Sequence, residues 1–228
     1  MNKIYFLSLV VFFHTVLCFS QTNDSTQLNT IESQFSDSIA LINEQNERLK
    51  DSRDAYNAGL LLLEDKNYID AVDSFTNAIT IDSTFSDAYL SRAKCYEGSD
   101  DKLAISDYLK AFELDSFDFS PLYLLATLQF QSDKELAKQT YNTIISLNDT
   151  EHMAFSQLGV IAFLAKDYQK AEKLFTQSLA IKINTYTLND RASCYRKLEK
   201  FDISIKDYLA AIDLNADLAF VYSNLASV

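Results

Sequence analysis

The chain has 228 residues, 48% of them apolar, with one proline and three glycines, and a formal net charge of −12 from 20 basic and 32 acidic side chains. This content can bury a core, which excludes a disordered acidic tail, and it holds too few turn-formers for a β-rich fold. The negative charge repels phosphate backbones and anionic lipid surfaces, which argues against a nucleic-acid partner.

In residues 1–20, Lys3 precedes an apolar run from Ile4 to Leu17, and Cys18-Phe19-Ser20 closes it. That order is the order of a secretory signal peptide, with cleavage expected after Ser20. A retained anchor is the alternative. The run is near the shortest length that spans a bilayer, and His14 and Thr15 interrupt it. Leu17 ahead of Cys18 argues against lipid attachment there. Cleavage removes only one basic residue, Lys3, and moves the net charge from −12 to −13. The expected location is exported, either periplasmic or associated with the cell envelope.

Residues 21–29 (QTNDSTQLN) are polar and read as a disordered linker. From 30 to 51 the pattern turns helical, with Ile31, Phe35, Ile39, Ile42 and Leu49 on one stripe. This segment is expected either as a separate capping helix or as a leader that folds back on the downstream helices.

From residue 52 the sequence repeats every 33 or 34 residues; the clearest copies are RAKCYEGSDDKLAISDYLKAFELD at 92–115 and RASCYRKLEKFDISIKDYLAAIDLN at 191–215. Each repeat predicts two helices. Helix A carries a small residue at a fixed place: Gly59, Ala93, Ala126, Gly159, Ala192 and, in an incomplete sixth copy, Ala226. Helix B carries a small residue, an aromatic four on and a third residue, usually small, three on: Ala71-Phe75-Ala78, Ala104-Tyr108-Ala111, Ala137-Tyr141-Ile144, Ala171-Phe175-Ser178 and Ser204-Tyr208-Ala211. Steps of four and three share one helix face, so these aromatics are core residues filling the space the small ones leave.

The five copies in register resemble the tetratricopeptide repeat. The resemblance covers residues 52–228 and implies an all-α, right-handed α-solenoid of helix-turn-helix repeats. The closing proline of the family pattern is missing throughout; Ser83, Ser116, Asp149, Ile183 and Ala216 stand there. The third copy is the most divergent, with Gln129 in place of the second aromatic. Asparagine, lysine and isoleucine usage and the Phe19-Ser20-Gln21 junction resemble exported proteins of Bacteroidetes-type bacteria.

Little in the chain points to catalysis. Beyond the leader there is one histidine, His152, expected as an exposed helix-start residue. Cys95 and Cys194 occupy equivalent places three repeats apart, too distant for a disulfide, and read as buried packing residues. No phosphate loop, dinucleotide fingerprint or zinc spacing occurs. No catalytic residue, metal or cofactor is expected, and an open array does not enclose a pocket of the kind that tunes carboxylates.

The resemblance implies a groove lined by A helices that holds a peptide or a partner's helix. Its positions, carried over to this chain, include Tyr56, Leu60, Tyr123, Phe130, Val160 and Phe163, with Asn189, Arg196 and Lys197 forming a basic end. The basic residues are too few for a carboxylate clamp, so a largely hydrophobic groove for an amphipathic helix or extended segment is expected. Two competing expectations are that the 31–49 helix fills this groove, or that tight packing buries it. The function so implied is a non-catalytic scaffold for a protein or peptide partner. An alternative is the sensory N-terminal part of a longer membrane signalling protein, because Tyr222–Val228 starts a sixth helix A without its helix B. The apolar stretch LAFVYSNLASV at 218–228 also suggests self-association through that end.

Overall fold

Helix follows helix wherever the computed structural model describes the chain, which is from residue 25 onward, with side chains from residue 29. The expected leader at 1–20 and residues 21–24 lie outside the described residues. The helices are α1 (Ser25–Glu64), α2 (Tyr68–Ile81), α3 (Ser86–Tyr96), α4 (Asp101–Leu114), α5 (Ser120–Ser132), α6 (Lys134–Leu147), α7 (His152–Leu164), α8 (Tyr168–Ile181), α9 (Thr185–Lys197), α10 (Phe201–Leu214) and α11 (Ala219–Leu225). They form an all-α solenoid of helix-turn-helix repeats: the end of α1 pairs with α2, then α3 with α4, α5 with α6, α7 with α8 and α9 with α10. None of the described helices is long and apolar enough to cross a membrane.

Two expectations at the start are corrected. Residues 25–29, expected as disordered, begin α1, and the expected helix at 30–51 is not separate from the first helix A. One 40-residue helix carries both, because nothing between Asn46 and Arg53 can break it: there is no glycine, no proline, and mostly good helix formers. Its Ile39, Leu41 and Leu49 are exposed.

The chain divides into two compact units, Met1–Phe85 and Ser86–Val228. In the first, Ser52 Oγ donates to the Ala78 carbonyl at 2.9 Å and Arg48 Nη2 to the Ile81 carbonyl at 3.0 Å. The arginine thus satisfies an orphan carbonyl at the negative end of α2. Phe75 is fully buried against Gly59.

In the second unit the small and aromatic positions form the core, which falls into three clusters. Ala93, Tyr108, Leu122, Ala126, Tyr141, Ile144 and Leu158 belong to one cluster. Leu188, Ala192, Tyr208, Ala211 and Val221 form another. Two matched ion pairs clamp A to B: Arg92 Nε and Nη2 donate to Asp107 at 2.8 and 2.9 Å, and Arg191 does the same to Asp207 at 2.7 and 3.0 Å. Both carboxylates are buried, and the bidentate fork meets both oxygens of each.

The turns explain the missing prolines. After α2, α4, α6 and α10 an Asp or Asn side chain accepts from the N–H two residues on: Asp82 from Thr84, Asp115 from Phe117, Asn148 from Thr150 and Asn215 from Asp217, at 2.9 to 3.1 Å. This Asx-turn bends the chain back without a fixed proline φ. Within repeats, Lys66, Lys166 and Glu199 take left-handed φ of 59°, 63° and 59°. The flanking hydrogen bonds, such as Lys166 N to Phe163 O and Asp167 N to Ala162 O, are those of a Schellman helix end. The third repeat is tighter still. Asp133 alone joins α5 to α6, and its carboxylate caps the N–H groups of Glu135 and Leu136.

Candidate functional site

Setting aside exposed Lys197, the eight residues expected to line a groove fall in both units. Tyr56 and Leu60 belong to the first, where the Tyr56 ring packs 5.6 Å from Phe75 and 4.8 Å from Phe85, centroid to centroid. The other six lie in the second unit, and the structure uses them in three different ways.

Tyr123 and Phe130, expected to face a partner, are engaged by their own chain. The Tyr123 hydroxyl donates to Glu151 Oε2 at 3.1 Å and the ring lies 6.2 Å from Tyr141. Burial and the Glu151 charge raise its pKa. Phe130 packs on the first core cluster with the Lys134 ammonium 5.6 Å over its ring. Both are half-buried, as Val160 and Phe163 are, and neither lines the cavity formed by those two residues.

Val160, Phe163 and Asn189 are brought together. They line a cavity of about 220 Å³ with Leu164, Phe175, Asp190, Ser193 and Asn224. Its walls come from α7, α8, α9 and α11, so its A-helix face spans the fourth, fifth and sixth repeats. The apolar half is Val160, Phe163, Leu164 and Phe175. Polar groups form the other half. Asn224 Nδ2 donates to Asn189 Oδ1 at 2.8 Å, and Asn189 Nδ2 donates to Asp190 Oδ1 at 3.1 Å. Ser193 Oγ donates to the Asn189 carbonyl at 3.0 Å and lies 2.9 Å from the Tyr208 hydroxyl.

Asp190 is the site residue that sequence reasoning missed. Burial pushes its carboxyl above the ordinary value, and the hydrogen bond from Asn189 offsets this in part. Among the described residues no ion pair reaches it; the adjacent Arg191 is taken by Asp207. In the sequence it reads as one more solvated acid, since the matching places in other repeats are mostly polar (Asn57, Ser91, Gln157).

Of the expected basic end, Asn189 lines this cavity while Arg196 and Lys197 lie outside its lining. Arg196 Nη1 hydrogen-bonds Ser227 Oγ beyond the last helix, and its Nε is buried without a partner. Lys197 is exposed to solvent. The charge at the cavity is thus negative. His152, expected exposed, is half-buried at the start of α7, and its carbonyl accepts from Ser178 Oγ at 2.7 Å. Burial, with the Lys182 charge, lowers its pKa. Cys95 and Cys194 are free and buried.

A larger cavity, about 620 Å³, lies on the B-helix side among Leu179, Ile183, Ala210 and Leu214. The polar floor there is the Arg191–Asp207 pair, whose groups are already matched. Asp213 also lines that cavity but is exposed to solvent, whereas Asp190 in the A-helix cavity is mostly withdrawn from it.

Paired helices and small-aromatic packing define a helical-repeat array, a class suited to protein–protein interaction. Residues 186–218 match the family model of the tetratricopeptide repeat. The chain is 28% identical over 169 residues to anaphase-promoting complex subunit 6 of Arabidopsis thaliana, covering 71% of this chain and 31% of that protein. It spans about a third or less of the length of the curated relatives it matches. PilF of Pseudomonas aeruginosa has a similar fold, with a TM-score of 0.59 at 22% identity, covering 79% of this chain and 90% of PilF. So does YrrB, described as a repeat protein of this type with an unusual peptide-binding site; the TM-score is 0.56 at 19% identity, covering 81% and 95%. At these identities the two structures establish the fold alone.

Proposed function

We propose that this chain is a non-catalytic scaffold of the cell envelope that holds an extended peptide segment of a protein partner against its A helices. The observation that carries the reading is the cavity walled by Val160 and Phe163 from one A helix and Asn189 from the next, which open on one space. Half-apolar, half-hydrogen-bonding walls suit a peptide, whose side chains bury while its polar groups find partners. The peptide site described for YrrB supports the reading by fold analogy. The signal-like order of residues 1–20 supports the envelope location.

A photo-crosslinking residue at Val160, compared with one at exposed Lys173 on α8, tests this in native cells. A discrete protein adduct from Val160 alone, recovered in the envelope fraction, is the expected result. Equal adducts from both positions, or none from Val160, would sink the groove reading; recovery in the cytosolic fraction would sink the location. Exposed Phe220 and Tyr222 on α11 are the surface through which self-association is proposed, which light scattering on the purified chain reads directly.

A further inference from the structure

We propose that the cavity between α7, α9 and α11 is a lysine pocket: it takes the side chain of a lysine in the bound segment, with the ammonium on Asp190. The proposal rests on the groove reading above and names the chemistry that the groove selects.

The two halves of the cavity match the two halves of a lysine. Val160, Phe163, Leu164 and Phe175 supply an apolar wall for the four-carbon stem. Asp190, Asn189 and Ser193 supply oxygens for the head. The side-chain and hydroxyl oxygens each keep acceptor capacity: Asp190 Oδ1 and Asn189 Oδ1 each accept one donor, and Asp190 Oδ2 has no hydrogen bond among the described residues. An ammonium carries three donors and needs such acceptors.

Arginine fits less well. Its fork needs both carboxylate oxygens, as Arg191 finds on Asp207. On Asp190 one arm of the planar fork would have to share Oδ1 with the Asn189 amide in the single orientation that also reaches Oδ2. A compact ammonium binds one oxygen without that conflict. An anionic side chain is excluded, since it would face a mostly buried carboxylate in a chain of net charge −12. A neutral apolar side chain would fill the wall and leave Asp190 without a counter-charge. Burial raises the cost of leaving that carboxylate unpaired, so the gain from pairing is correspondingly large.

The test uses the full chain and a short random-peptide library. Peptides retained by the chain are resynthesised with lysine, with acetyl-lysine and with norleucine at each basic position, and their affinities are measured by calorimetry. A shared lysine is expected. Acetylating it should weaken binding about tenfold or more, as should Asp190→Asn, whose circular dichroism should match the parent. Phe163→Ser should weaken every peptide. Retained peptides that lack lysine, or that tolerate its acetylation, while Phe163→Ser still abolishes binding, would overturn the lysine pocket and leave the groove standing. If no peptide is retained, or Phe163→Ser changes nothing, the groove reading falls and the lysine pocket with it. The acetylation arm uses the unaltered protein, so the result stands even if Asp190→Asn folds poorly.

Discussion

Gly159 lies so close to Phe175 that a Cβ on the glycine would sit 2.6 Å from ring atom Cε1, and Gly59 stands in the same relation to Phe75. The other three pairs read alanine and tyrosine: Ala93 with Tyr108, Ala126 with Tyr141, Ala192 with Tyr208. Tyr108 and Tyr208 tie their hydroxyls to polar side chains, Glu97 just past the end of its helix A and Ser193 within its own. The phenylalanines have no such anchor. Gly159→Ala should therefore destabilise by about 1–3 kcal/mol through overpacking, against a helix-propensity gain of about 1 kcal/mol. Adding Phe175→Leu should recover part of the loss. Urea unfolding of the single and double variants measures both.

Lys166 carries its side chain at φ 63°, in the left-handed region, at the end of α7. Lys166→Gly should raise stability by about 1 kcal/mol, because glycine avoids the Cβ clash there. Thermal unfolding checks it; a lower midpoint would contradict the Schellman reading of this turn.

The Arg191–Asp207 clamp is mostly buried, with side-chain exposures of 19% and 11%. Asp207→Ala leaves the guanidinium without its partner and should cost about 3–5 kcal/mol. Replacing both together, Arg191→Met with Asp207→Leu, should cost much less. A double-mutant cycle in denaturant separates the lone-charge penalty from the worth of the pair.

Asp190 should make the empty protein respond to acid in an uncommon direction. Its folded-state pKa is raised above the ordinary value, so the native chain keeps the proton to higher pH than the unfolded chain does. The cost of holding the carboxylate ionised is fully present above the folded pKa. It is relieved as pH falls through that value, and is gone below the unfolded value near about 3.9. Asp190→Asn should thus be more stable than the parent at neutral pH, with the difference shrinking on acidification. Denaturation midpoints across the acid range read the sign.

Burial, with the Asp190 and Glu172 charges, pushes the Cys194 thiol up to about 12. At pH 8 the thiolate fraction is then roughly one part in ten thousand. Alkylation of Cys194, followed by peptide mass mapping, should be undetectable in the native chain and rapid in denaturant. Fast native labelling would show that α9 opens locally.

The helix pairs were legible because small and aromatic residues recur at steps of four and three, a period that only a helix face satisfies. The continuity of α1 was not, because the repeat register suggested a boundary at residue 52 where no residue breaks a helix. Val160, Phe163 and Asn189 could be placed on one side by position within the repeat. Tyr123 and Phe130 share that placement, but spacing alone does not reveal that Glu151, Tyr141 and Lys134 engage them. Asp190 was invisible for the opposite reason: its type suggests solvent, and only the walls around it make it costly.

The far wall of the cavity, Asn224, stands on α11, a helix of only seven residues held by α9 and α10. Repeat arrays hold their stability in neighbour contacts, so a helix this short frays before the longer pairs do. Any ligand that spans from Val160 to Asn224 would lash that loose element to the two repeats before it. Resistance to proteolysis at α11 would then rise with ligand concentration, giving the cell a way to couple the lifetime of the chain to the presence of its partner.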